Sequence, residues 1–180
     1  MLFAVPPVVV PEPVVREHIA YYAITGSREE DLVKEMNRKG PTKPDGRYWA
    51  MTDAGVSWSY DVRLAGGTCA LVKPSVLVTI DITLPSWKPP LGVDATIVAK
   101  WNRMLDALKK HENEHAQFSR DTADALTSLM REHASDTTCA RLDATLRARG
   151  RAILDAEKKR NAELDARTAH GSSEGVGIAW

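Results

Sequence analysis

Residues 94–133 read DATIVAKWNRMLDALKKHENEHAQFSRDTADALTSLMREH, and the periodicity of this stretch decides the fold class. At about 100° per residue, Ile97, Trp101, Met104, Leu108, Phe118, Thr122 and Leu129 fall on one stripe, which predicts a single long helix ending near His133. Asp94 is suited to cap its N-terminus. Downstream, Ser135-Asp136-Thr137-Thr138 breaks the pattern and caps a second helix that runs to about Asp165. Leu142, Leu146, Ile153 and Leu164 share a face of that helix, and Gly150 inside it weakens it by about 1 kcal/mol relative to alanine. The chain then ends in a glycine-rich loop, AHGSSEGVGIAW.

Upstream of Asp94 the period changes to two. In TCALVKPSVLVTIDITL (68–84), Val76, Val78, Ile80 and Ile82 alternate with Leu77, Thr79, Asp81 and Thr83, which predicts a strand entered through a Gly66-Gly67 turn. RYWAMTDAGVSWSYDVRL (47–64) alternates around Asp53-Ala54-Gly55 and predicts a hairpin there. HIAYYAITG (18–26) predicts another strand. Ser27 and Glu30 match a capping box for a short helix carrying Leu32, Val33 and Met36 and stopped by Gly40-Pro41. LPSWKPPLG (84–92) reads as a proline-rich connection. Strands followed by helices, rather than alternating with them, give an α+β fold: a β-rich N-terminal half with one short helix, then two long C-terminal helices. Residues 1–17, crowded with prolines, are expected to form an extended arm, and 18–180 a single domain.

The chain has 180 residues, 43% hydrophobic and 27% charged, which is ordinary globular composition. Its 24 basic and 24 acidic residues balance, so it lacks the basic excess of a phosphate-tracking nucleic-acid binder. No apolar run approaches the ~18 residues of a membrane span. The start, MLFAVPPVVVPEPVV, has no basic n-region and is broken by prolines. It fits a signal-peptide remnant and the arm of a cytosolic protein equally. Cys69 and Cys139 are too far apart for a CxxC site; by count alone they are either one bridge or two buried thiols.

Inside the first long helix, His111-Glu112-Asn113-Glu114-His115 is an HExxH, the zincin motif. Residues four apart stack on one helix face, so two imidazoles can grip one Zn²⁺ while the adjacent glutamate takes a proton from water. With 5 histidines in 180 residues, chance matches number on the order of 0.01. His111 and His115 fall within the apolar stripe, and Glu112 lies at its edge, about 60° from its centre. The competing reading is a pair of core histidines satisfied by neighbouring acceptors. His18 and His133 read as structural, the latter at a helix C-terminus that favours a cation. Arg147, Arg149, Arg151 and Lys158-Lys159-Arg160 read as a solvated helix face, since acids are interspersed. Trp49, Trp58, Trp87, Trp101 and Trp180 read as packing residues. No serine-nucleophile, Walker or dinucleotide fingerprint is present.

YYAITG, MNRKGPT, RYWAMTDAGVSWSY, a cysteine in the next strand, LPSW, a tryptophan ten residues before HENEH, and the closing DARTAHG occur in an order that resembles a bacterial uncharacterised-domain family of predicted secreted zinc-dependent proteases. The resemblance runs from about Tyr21 to Gly171. It departs at Leu164, where the family carries an aromatic residue before the aspartate of the closing motif. It implies a zincin-like site, export to the periplasm or outside, and a Cys69–Cys139 disulfide.

HExxH supplies two ligands and a catalytic zinc usually has three. Glu157 on the apolar face of the second helix, Asp165 near its end and His170 in the loop beyond are the downstream candidates. His170 is favoured, because imidazole is the better donor, the loop can fold back over the first helix, and the closing motif of the resembled family includes it. Asp165, about 100° off the Leu142/Leu164 stripe, is then its supporting partner. The expected function is a zinc-dependent metallopeptidase-like hydrolase acting on a peptide or protein substrate, cell-wall material among the candidates, with Glu112 as general base. The alternative is a non-catalytic envelope module for binding or structure, with or without zinc.

Overall fold

In the computed structural model, which describes residues 8–44 and 46–175, the chain runs through β1 (Val14–Ile24), α1 (Glu29–Lys39), the short strands β2 (Thr42–Lys43) and β3 (Gly46–Arg47), β4 (Met51–Ala65), β5 (Thr68–Trp87), α2 (Ala95–Glu132), β6 (Ser135–Asp136) and α3 (Cys139–Thr168). A 3-10 turn follows at Ser172–Glu174. The architecture is α+β, with a sheet of order β1-β5-β4, β6 paired to β5, and a separate β2-β3 ribbon. Among the described residues no helix is long and apolar enough to cross a membrane.

The period-two stretch behaves as its pattern requires. Val76, Val78, Ile80, Ile82 and Leu84 are all buried on one face of β5, while Ser75, Thr79 and Asp81 are exposed. The hairpin is placed differently from its sequence reading. β4 runs unbroken through Asp53-Ala54-Gly55, and the chain reverses at Gly66-Gly67, whose φ values of 60° and 83° suit a two-residue turn that only glycine or asparagine forms cheaply. At Gly55 a side chain would begin 3.4 Å from the Thr79 hydroxyl, so the glycine marks close strand packing, not a turn. LPSW is strand too: β5 continues through Pro85, which is fully buried, to Trp87. The capping box is absent. α1 starts at Glu29 with Arg28 as N-cap and no side-chain cap, and Asp31, not Glu30, reaches back to Arg28 at 3.3 Å. That pairing holds the Asp31 carboxyl below the usual carboxylate range.

The chain divides into two compact units. One comprises the segment up to Arg16, Gly55–Thr79 and Phe118–Arg160. Its core holds Leu71, Val76, Leu126, Met130, Leu142 and Leu146. Cys69 and Cys139 form a disulfide here, and β6 pairs with β5 beside it, Cys69 opposite Asp136. The Thr138 hydroxyl accepts the Arg141 N–H at 3.2 Å and so caps α3 as its sequence predicts. Arg149 Nη1 donates a hydrogen bond to His133 Nε2 at 2.8 Å.

The other unit comprises Glu17–Ala54, Ile80–Gln117 and Asn161 onward. Ile24, Leu32, Met36, Ile80, Met104, Leu108 and Leu164 are buried in it, and Trp87 meets Trp101 edge-on at 5.5 Å. Asp94 caps α2: its carboxylate accepts the Thr96 N–H at 2.8 Å. Gly40 takes the chain past Tyr48 so closely that a Cβ would lie 2.0 Å from the Tyr48 carbonyl oxygen. This unit carries the histidine pair. Trp180 lies outside the described residues.

Candidate metal centre

Residues 111 and 115 are one helical turn apart on α2, so their imidazoles stack along one face and meet edge-on with ring centroids 4.8 Å apart. Their Nε2 atoms approach to 3.2 Å. The third group comes from the last turn of α3: Asp165 Oδ1 lies 3.1 Å from His115 Nε2 and 3.4 Å from His111 Nε2. The three ligand atoms all fall within 4.8 Å of one another, and the cluster is able to hold a metal ion.

The far side of each ring is occupied. His115 Nδ1 stands 2.6 Å from Asn161 Oδ1, and His111 Nδ1 stands 3.3 Å from Glu174 Oε2. Both partners offer an oxygen acceptor, so a ring hydrogen on each Nδ1 would be satisfied there and would leave both Nε2 lone pairs for a cation. In that tautomer two imidazole lone pairs and a carboxylate oxygen converge on one point. The set could hold a cation, and its donor types suit a borderline divalent metal.

Glu112 is 5% exposed, in a position to face the same centre. Burial pushes its carboxyl above the usual range, opposed by hydrogen bonds from Thr52 and by the two histidines. The Thr52 hydroxyl also donates to the Glu112 backbone carbonyl at 3.0 Å, tying the start of β4 to the histidine helix.

The remaining sequence candidates are not among the three clustered groups. Glu157 belongs to the other unit, where it accepts a hydrogen bond from Ser119 at 2.5 Å. His170 is not one of the three clustered groups; its Nδ1 stands 3.5 Å from Asp165 Oδ1, and its side chain is 55% exposed. Asp165 reaches the histidines because the cluster sits at the margin of the core: it is one residue, and so 100°, beyond the buried Leu164. Asn161 and Glu174 were not signalled as site residues. Asn161 had a detectable trace, since it precedes Asp165 by the same four residues that separate the histidines. Glu174 sits in an irregular turn where no periodicity points anywhere.

The bacterial family described as a protein of unknown function (DUF922) matches residues 19–171, a span that includes the histidine pair, Asp165 and the disulfide. No curated protein and no solved structure matches the chain. The chain is a member of that bacterial DUF922 family.

Proposed function

We propose that the protein is a zinc-dependent hydrolase of peptide or amide bonds, with His111, His115 and Asp165 as the metal ligands and Glu112 as the general base. The observation that carries this reading is the convergence of His111, His115 and Asp165, with the far sides of the two imidazoles engaged by Glu174 and Asn161. Zinc in such a site supplies a Lewis acid for the scissile carbonyl and eases the deprotonation of water. The Glu112 carboxylate accepts a proton from the attacking water and returns it to the departing amine nitrogen as the C–N bond breaks. Thr52 hydrogen-bonds that carboxyl. Asn161 and Glu174 hold the two imidazoles with Nε2 inward. The placement of HExxH on one long helix supports a zincin-like relationship, and the Cys69–Cys139 bond supports an exported protein, periplasmic or secreted.

Metal analysis of the purified chain and peptide-library hydrolysis test the proposal together. About one zinc per chain is expected, with turnover that disappears in Glu112→Gln while zinc is retained. Zinc retention with no turnover in the wild type would refute the hydrolase and favour a non-catalytic envelope module.

A further inference from the structure

Beyond the end of α3 the backbone enters the left-handed region at three successive residues, Ala169 (φ 47°), His170 (φ 54°) and Gly171 (φ 82°). Only the glycine adopts it without steric cost. The turn is held from several sides. The His170 N–H donates to the Asp165 carbonyl at 2.9 Å, and the Glu174 N–H to the Gly171 carbonyl at 2.9 Å. The Thr168 hydroxyl accepts the Gly171 N–H at 3.0 Å while donating to the Leu164 carbonyl at 2.8 Å. Backbone held in a disfavoured region by surrounding bonds marks a side chain whose position matters.

That side chain is His170. Its ring packs against Tyr48 with centroids 5.5 Å apart, and the Tyr48 backbone is itself fixed by its N–H to the Pro41 carbonyl at 2.9 Å. His170 Nδ1 lies 3.5 Å from Asp165 Oδ1, the oxygen that meets both Nε2 atoms. Exposure rises outward through the cluster, from 5% at His111 and 14% at His115 to 31% at Asp165 and 55% at His170. His170 therefore stands on the solvent side of the cluster.

We propose that His170 is a catalytic residue whose Nδ1–H, on the ring edge that faces Asp165, donates a hydrogen bond to the oxygen of the peptide or amide carbonyl under attack, rather than a metal ligand. This rests on the zinc hydrolase reading above. A fixed donor beside the reacting oxygen stabilises the charge that gathers there and needs no rearrangement to do so. The left-handed turn and the Tyr48 contact are what keep the imidazole fixed.

The test uses the full chain, zinc and acetohydroxamate, a carbonyl-bearing zinc chelator, in two variants. His170→Gly removes the ring and suits φ 54° better than histidine; His170→Asn keeps an N–H donor on a residue that tolerates the same φ. Zinc affinity in both is expected within about threefold of wild type, and metal-free His170→Gly is expected to unfold at or above the wild-type temperature. Acetohydroxamate should bind the zinc-loaded His170→Gly protein roughly tenfold more weakly or worse, with part of the loss recovered in His170→Asn. A tenfold or greater fall in zinc affinity would return His170 to the ligand set and overturn the proposal. Unchanged acetohydroxamate binding in His170→Gly would overturn it as well. A wild-type chain that binds no zinc defeats the metal reading itself, which separates that failure from one confined to His170.

Discussion

Gly150 lies inside the 30-residue α3, where helix propensity alone predicts that alanine would add about 1 kcal/mol of stability. The packing reverses the sign. A Cβ at this position would lie 2.2, 2.5 and 3.0 Å from three carbons of the Trp58 indole, all far inside the ~3.5–4.0 Å of comfortable carbon–carbon contact. The indole would have to retreat by about 1 Å or more. It is half-buried on β4, so the move disturbs its contact with Tyr60, whose ring centroid is 5.2 Å away. Overpacking costs ~1–3 kcal/mol, and a contact of 2.2 Å belongs in the upper part of that range, about 2–3 kcal/mol, which leaves Gly150→Ala a net loss of about 1–2 kcal/mol after the helix gain. In urea titration the midpoint should fall with an unchanged slope, and Tm should drop by about 2–8 °C. In a Trp58→Leu background the same substitution should become neutral or stabilising, a coupling of more than about 1 kcal/mol between positions 58 and 150. A Gly150→Ala midpoint at or above wild type would refute the packing argument.

Asp165→Asn should lower zinc affinity on the order of 100-fold or more, while Glu157→Gln stays within about threefold, measured by competition with a chromophoric chelator; the reverse ranking would move the third ligand to Glu157. Asn161→Ala frees His115 Nδ1 and should weaken zinc by about 10–100-fold, with ¹⁵N shifts of His115 in the metal-free protein reporting the loss of the Nδ1–H tautomer. No change in either readout would remove Asn161 from the site. Cys69→Ser with Cys139→Ser should cost about 4 kcal/mol in denaturant titration, from the 70-residue separation that the bond closes. A loss under about 1 kcal/mol would mean that the disulfide constrains little of the unfolded chain.

The long helices were legible because an unbroken 3.6-residue stripe has one reading, and Asp94 and Thr138 carry local capping chemistry that needs no tertiary context. The strand errors share a cause. Asp53-Ala54-Gly55 and Pro85 have turn composition, but membership of the β1-β5-β4 sheet outweighs local preference, which in sheets is weak and context-dependent. HExxH identified its own helix face, since both histidines are set by helical spacing alone. Its partners were harder. Asp165 lies off the apolar stripe of α3, and the cluster lies beside that stripe too, between apolar core and solvent, so the stripe does not point to it. The contact of Trp58 with Gly150 joins residues far apart in sequence, and nothing local to Gly150 distinguishes a slot for an indole from a weak point in a helix.

The disulfide and the histidine–aspartate cluster close two spans that interleave along the chain: His115 lies within Cys69–Cys139, and Cys139 lies within His115–Asp165. Interleaved closures invite the expectation that each prepares the other. The polymer statistics say otherwise. With the bond formed, the effective path from His115 to Asp165 contracts from 50 residues to roughly 40, worth only about 0.2 kcal/mol of closure entropy. By this route the oxidised and reduced chains, if both fold, should take up metal almost equally well, and metal loading should do little to drive oxidation. Thiol redox state and metal supply are thus two separate conditions on the same protein, and a compartment can satisfy either one without the other.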